Sequence, residues 1–533
     1  MEKLDAIIIG SGFSGMYQLY SLRDKLGLKA KVLDGASGVG GTWFWNRYPG
    51  ARCDSESHTY MYYFSKDLVN EWEWSERYPQ QPEILRYLNF VADKLNLRSD
   101  IELNTRMSEA HFDVATNRWN IKTENGKEYN AKYLITAVGC LSSANLPKIE
   151  GLADFKGEWY HTGQWPHEGV DFTGKRVALI GTGSTGIQAT PVIASTAKHL
   201  TVFQRTPNYS LPARNAPLTP EFKKYAKQHA ADIYKIMTTN TNGHGFYIED
   251  ASALDVPATE RLKAYEEKWK MGGFQFRALY RDILTSAAAN ETAAEFIRGK
   301  IKEIVKDPQV AEDLADIDHP FAAKRPPVDS GYFEAFNRSN VTLVNIRKTP
   351  IERITAKGVK TSTQEVDADV IVFATGFDAM TGSLLKLDIT GRDSRKLKEY
   401  WHAGPRTYLG LQVPGFPNMF TITGPGSPSV LCNMPPAIEQ HVEWITNCIQ
   451  HMESKHLAVI ETTEQSGDSW QAEVDRAANA TLLPTVKHSW YLGGNVPGKP
   501  RVFMPYAGGL AHYRKICDDV SQNGFKGFEF TPA

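Results

Sequence analysis

The chain opens on a run of apolar positions, Leu4–Ile9 (LDAIII), β-branched at its end, which predicts a strand buried on both faces. The run passes directly into Gly10-Ser11-Gly12-Phe13-Ser14-Gly15. Beyond the glycines the period changes, and Tyr17, Leu19, Tyr20 and Leu22 mark a helix across Met16–Leu26. A second apolar stretch, Ala30–Leu33, predicts a strand ending at Asp34. These residues make one strand–turn–helix–strand unit.

The same pattern returns 171 positions later, with strand Arg176–Ile180, turn Gly181-Thr182-Gly183-Ser184-Thr185-Gly186, helix Ile187–Ala197 and strand Leu200–Gln204 ending at Arg205. Two further apolar runs, Tyr133–Val138 and Val370–Thr375, read as buried strands that stop at Gly139 and Gly376. Between about 219 and 318 the pattern becomes charged, Ala-rich and helical, as in Glu260–Lys270 and Ala293–Lys306. The expectation is an α/β fold with two Rossmann-like dinucleotide-binding domains, 1–140 with 375–533 and 141–374, the second carrying a helical insertion.

A lone GxGxxG carries little weight. Here each copy follows a strand and opens a helix, so its glycines have distinct work: a tight turn, close approach of a pyrophosphate, and packing of helix on strand. The helix N-terminus adds free N–H groups and partial positive charge for phosphates. Gly10 to Asp34 and Gly181 to Arg205 are both 24 positions, so one copy ends its second strand on an acid and the other on a base. A carboxylate there accepts from ribose hydroxyls, whereas arginine pairs with a 2′-phosphate. The first unit is therefore expected to hold FAD and the second NADP(H).

The 60 basic and 61 acidic side chains leave a net charge of −1, which argues against a nucleic-acid binder. Cys53, Cys140, Cys432, Cys448 and Cys517 are dispersed, with no CxxC or CxxxxC pair, so neither a metal site nor a disulfide-reductase centre is expected. No charge or histidine occurs across the 32 positions between Arg406 and Glu439, but six prolines and four glycines interrupt them, which predicts buried loops rather than a membrane span. Charged Glu2, Lys3 and Asp5 predict no secretory signal, and the expected location is cytoplasmic.

Three blocks name a chemistry. Phe155–Pro166 fits FxGxxxHxxxWP around His161, Gly40–Asp54 fits GGxWxxxxYPGxxxD, and Ala374-Thr375-Gly376-Phe377-Asp378 carries an ATG element. In these the chain resembles the type I Baeyer–Villiger monooxygenases, closest to the phenylacetone and cyclohexanone branch, over nearly its whole length. The resemblance implies a flavin-monooxygenase, glutathione-reductase-like fold. It further implies an enzyme that uses NADPH, FAD and O₂ to convert a ketone to an ester or lactone through a C4a-peroxyflavin, with sulfoxidation alongside. A flavin monooxygenase that oxidises nitrogen or sulfur is the alternative. A small-molecule ketone and O₂ are the expected partners, the protein a monomer or weak oligomer.

By the same resemblance Arg325 and Asp54 are the catalytic pair, Arg325 a fixed cation for anionic oxygen and Asp54 its counter-ion. Read alone, Lys324-Arg325 is an ordinary solvated basic pair, and Trp43, Trp45 and Tyr48 are ordinary core aromatics. The cofactor-binding set implied is Gly10, Gly12, Phe13, Ser14, Gly15, Asp34, Gly41, Thr42, Trp43, Asp54, Tyr60 and Gly139, then Thr182, Gly183, Ser184, Thr185, Gly186, Gln188, Arg205 and Thr206, and finally Lys324, Arg325, Met434 and Trp490. Trp490 is expected on a closing loop, about 488–503. Cys140, Ser427, Leu431 and Met434 are expected to line an apolar substrate pocket, and His161 to sit at a domain junction.

Overall fold

A computed structural model describes all 533 residues. The opening run lies within strand Glu2–Ile9, at the middle of an eight-stranded sheet. It pairs in parallel with Ala30–Leu33 on one side and Glu128–Thr136 on the other. A strand so placed has no solvent face, which is why Ile7 and Ile8 are fully buried. Strands Met107–Asp113, Arg118–Thr123 and Glu128–Thr136 form an antiparallel meander within the sheet. Two strands return from late in the chain: Asp388–Thr390 beside Met107–Asp113, and Met419–Thr421 beside Glu128–Thr136.

The second sheet has five parallel strands, ordered Val341–Asn345, His199–Gln204, Arg176–Ile180, Val370–Phe373 and Glu158–His161. A separate antiparallel meander, Ile351–Asp367, precedes its strand Val370–Phe373. Between these strands the chain forms helices Pro220–Gln228, Ala230–Thr239, Ala258–Met271, Ala287–Ile304 and Pro308–Ala315.

The two glycine turns have the same internal geometry. Gly10 and Gly181 adopt φ +106° and +111°, and a Cβ on either would meet a carbonyl oxygen, of Ala137 at 2.5 Å or Ala374 at 2.4 Å. A Cβ on Gly15 or Gly186 would meet the carbonyl of its own turn's first glycine, at 1.8 Å and 2.1 Å. Only glycine lets these helices start this close to their strands.

Two helix bounds differ from the periodicity. The first helix starts at Phe13, immediately after Gly12, and its tail relaxes into a π-helical turn at Ser21–Lys25. The second runs Ser184–Thr196, starting in the glycine turn and containing Pro191. In both, the turn's last residues already have helical geometry, which apolar spacing does not report because only one of them, Phe13, is apolar and the rest are polar or glycine. The long uncharged stretch becomes strand Met419–Thr421, a 3-10 turn at Ser429–Leu431 and the start of helix Met434–Ser454. No helix is long and apolar enough to cross a membrane.

Candidate active site

At the first glycine turn, the Ser11 N–H and hydroxyl both donate to Asp34 Oδ2, at 2.7 and 2.6 Å, and the Ala36 N–H donates to Asp34 Oδ1 at 2.8 Å. The carboxylate is thus fixed by the turn at the end of its strand, with lone pairs left over. Gly41, at φ +53°, caps the short helix Thr42–Trp45 and lies face to face with Gly12; a Cβ on it would sit 2.9 Å from the Gly12 Cα. Trp43 Nε1 donates to the Tyr60 hydroxyl at 3.1 Å, and Tyr60 packs edge-on against Phe13. The result is a small-residue cleft walled by aromatics.

The second turn is more open. Gly183 and Ser184 are exposed, and a Cβ on Gly183 would meet nothing within 4 Å. Gly139 and Gly376, at the ends of their strands with φ +70° and +78°, likewise face open space. Thr182 donates to the Thr206 carbonyl at 3.1 Å, tying the turn to the strand end that carries Arg205. Lys324 joins this end: burial lowers its ammonium, Asp318 raises it, and Arg205 and Arg347 lower it further. Arg347 is itself paired with Asp316 at 2.8 Å and Asp318 at 3.4 Å. Cations therefore gather where the second unit's ribose end would lie.

Gln188 has a different place from the rest of its turn. Its side-chain oxygen accepts from the Tyr48 hydroxyl at 2.7 Å and its amide donates to the Arg52 carbonyl at 3.1 Å, so both ends are used within the protein. A Cβ on Gly50 would meet the Gln188 carbonyl at 2.4 Å. The Tyr48-Pro49-Gly50 block thus clasps the second unit's helix and brings Asp54 between the two units.

Asp54 meets Arg325 in a two-pronged pair, Nε to Oδ2 at 2.6 Å and Nη2 to Oδ1 at 2.9 Å. Arg325 Nη1 also donates to the Val430 carbonyl at 3.2 Å, and its guanidinium stacks over Phe274, 4.9 Å from the ring centre. The side chains of Arg325 and Asp54 are 23% and 22% exposed, so the pair is set back in a cleft yet open to it. Burial works against both charges, but each partner more than compensates the other: Asp54 lies below the usual carboxylate range and Arg325 above the usual guanidinium range. Of the five N–H groups of Arg325, three are committed, which leaves two that can hold negative charge on a neighbouring oxygen.

Around this pair stand groups that hold no charge. Burial, then the Arg325 charge, pushes His244 down to about 3 despite the pull of Asp54. Burial raises the Cys140 thiol to about 11 and the Cys432 thiol to about 12, Arg325 opposing it in both. Ser427 does not line this space: it has no accessible surface and its hydroxyl donates to the Gly424 carbonyl at 2.7 Å. Leu431 and Met434 are half-buried against the first sheet's core.

The loop carrying Trp490 is latched down. Asn495 donates to the Phe377 carbonyl at 2.8 Å and accepts through its own carbonyl from Asn145 at 3.3 Å, while Lys499 pairs with Asp378 at 2.5 Å. Trp490 packs on Tyr491, ring centres 4.4 Å apart, and the Tyr491 hydroxyl falls within the fields of Arg325 and Arg277. His161 is buried at the junction, its Nδ1 accepting from Gly163 N–H at 3.0 Å and its Nε2 lying 3.4 Å from Thr375 Oγ1. With both ring nitrogens engaged it is a structural residue.

His244, Phe274, Arg277 and Tyr491 surround Arg325 but were not among the residues singled out by motif. His244, Phe274 and Arg277 lie in the helical region, where the only local signal is Gly272-Gly273, both at positive φ, which turn the chain from helix Ala258–Met271 into the 3-10 turn Phe274–Leu279, whereas Tyr491 stands next to Trp490 on the 488–503 loop.

The family model described as "Pyridine nucleotide-disulphide oxidoreductase" matches residues 4–248. A "Baeyer-Villiger monooxygenase" of Pseudooceanicola batsensis is 43% identical over 525 residues, covering 98% of this chain and 95% of that protein. A "Phenazine N-monooxygenase PhzNO1" of Lysobacter antibioticus is 42% identical, covering 98% and 96%. A solved structure described as "Oxidized steroid monooxygenase bound to NADP" superposes with a TM-score of 0.95 at 48% identity, covering 100% of both chains.

Proposed function

Because the chain belongs to the Baeyer–Villiger monooxygenases, we propose that it is an FAD- and NADPH-dependent enzyme that inserts one oxygen atom of O₂ beside a ketone carbonyl, giving an ester or lactone. The observation that carries this reading is the Asp54–Arg325 pair, a half-buried cation held in one plane with two N–H groups uncommitted.

The donor set fits both cofactors. Asp34 is suited to the ribose of FAD, and the Gly12/Gly41 approach leaves room that any side chain would fill. Arg205, Thr206 and Lys324 suit a 2′-phosphate, and Gly183, Ser184 and Thr185 offer an exposed helix start to the pyrophosphate. Residues 1–140 with 375–533 would hold FAD and 141–374 NADP, with Trp490 closing over both. Held by these residues, FAD and NADPH would supply the hydride and the activated oxygen that the reaction needs.

Arg325 would hold negative charge on the reacting oxygen through its two uncommitted N–H groups. Preorganised donors at such a position typically contribute about 3–4 kcal/mol each. Asp54 fixes the plane of the guanidinium, so no reorientation is needed when the charge develops. His244, Cys140 and Cys432 present no competing charge or readily lost proton. The latched 488–503 loop would limit the water that reaches the site, where it would protonate and discharge activated oxygen.

Purified yellow protein supplied with NADPH, O₂ and phenylacetone or cyclohexanone is expected to give ester or lactone in proportion to NADPH consumed. NADPH oxidation without either product refutes the reading. A second reading, oxidation of nitrogen or sulfur, is favoured on its nitrogen side by the relative named as a phenazine N-monooxygenase. N-oxide or sulfoxide as the sole product would select it.

A further inference from the structure

We propose that Arg277 is an anion-recognising side chain of the reaction chamber, and that the ketone oxygenated here carries an acidic group, a carboxylate or a phosphate ester. The inference rests on the oxygenation reading above and adds the substrate class.

Arg277 stands three residues after Phe274 in the 3-10 turn Phe274–Leu279. With three residues per turn, positions i and i+3 eclipse, so both side chains leave the same face. Phe274 is the ring beneath the Arg325 guanidinium. Arg277 is therefore directed to the same chamber, and its charge acts on His244, Tyr491 and Arg325, all around the site.

Unlike Arg325, it has no partner there. It makes no hydrogen bond or ion pair within the chain, and no carboxylate is among the groups acting on it. Both oxygens of Asp54 are taken by Arg325. Burial, with Arg325 adding to it and Tyr491 opposing it, lowers the Arg277 guanidinium to about 10. An uncompensated guanidinium in a recessed site is costly, and a bound anion removes the cost. The 2′-phosphate end of the second unit does not meet this need, because the cations there act on another set of groups. Lys324 responds to Asp318, Arg205 and Arg347, and Arg277 to none of these. The chamber thus holds two balanced pairs, Asp54–Arg325 and Glu56–Arg77, a neutral histidine and one spare positive charge. A guanidinium engages either a carboxylate or a phosphate through paired N–H groups.

The test compares oxocyclohexanecarboxylate with its methyl ester, which has nearly the same size and no charge, and with the phosphate ester of a hydroxymethylcyclohexanone. In the wild type, kcat/KM for an acidic ketone is expected to exceed that for the methyl ester by about tenfold or more. Arg277→Met should reduce that ratio by about 30-fold, the scale of one charge-assisted hydrogen bond, and Arg277→Lys should restore part of it. Whether carboxylate or phosphate shows the larger drop identifies the acid. A wild-type ratio near one, or a ratio that survives Arg277→Met, overturns the proposal. So does a raised NADPH KM with the ratio intact, which would assign Arg277 to the dinucleotide. Lactone from the methyl ester alone refutes only the anion assignment, whereas no lactone from any of the three refutes the oxygenation reading as well.

Discussion

Replacing Arg325 by alanine removes its two uncommitted N–H groups and strips Asp54 of its only ion-pair partner. Loss of a single preorganised donor typically costs about 10²–10³ in rate, or about 3–4 kcal/mol. With two donors and a formal charge removed together, ester formation should fall by at least about 10³-fold. The unpaired Asp54 then lacks the force that held its carboxyl low, so burial dominates and its pKa rises. Because Asp54 is 22% exposed, water screens part of this penalty and the variant should still fold. Arg325→Lys keeps the charge but cannot hold both carboxylate oxygens in one plane, and should recover only a minor share of the activity. The assay follows flavin bleaching by NADPH under nitrogen, then ester per NADPH consumed after air is admitted. Bleaching should persist in Arg325→Ala while ester yield collapses and the NADPH equivalents appear as hydrogen peroxide. Ester yield within about tenfold of the wild type would refute the role assigned to this guanidinium.

Three further outcomes are expected. Arg205→Ala should raise the NADPH KM by about tenfold or more and narrow the preference over NADH; an unchanged KM means that the 2′-phosphate binds elsewhere. Gly183→Ala and Gly186→Ala should separate binding from folding. The Gly183 variant has open space for its Cβ and should keep its Tm while losing NADPH affinity. The Gly186 variant meets the Gly181 carbonyl at 2.1 Å and should lose several degrees; equal Tm values for the two would contradict the geometry. Glu439 has its carboxyl lifted to about 7, chiefly by burial, although Tyr63 and Phe64 N–H groups bond to it. A carboxyl whose folded pKa is raised contributes fully below its unfolded pKa and loses that contribution as pH climbs through about 7. Glu439→Gln should therefore flatten the fall of Tm between pH 5 and 8, measured by thermal denaturation, and identical pH slopes would refute the shift.

Asp34 and Arg205 were legible because a Rossmann unit is local. Turn, helix start and strand end fall within 24 positions, and each glycine's steric task repeats at the same offset in both copies. Asp54 and Arg325 were reachable only through the family resemblance, since 271 positions separate them and no spacing rule links them. Gln188 shows the limit of reading a motif by position: it stands in the second turn's helix, yet its side chain is spent on Tyr48 and Arg52. Ser427, in an uncharged stretch suited to a pocket wall, is instead fully consumed by its own turn.

The chain's own order of residues determined the two glycine turns, the opposed charges at their strand ends and the lack of a CxxC or CxxxxC pair, because each depends on neighbours along the backbone. The tertiary structure alone decided that Phe274, His244 and Tyr491 close around Arg325, that Asp54 takes up its charge, and that Arg277 is left without a partner. Electrostatic balance in a cleft depends on which distant side chains are brought together and on how much water is removed around them, and neither quantity is written in local sequence.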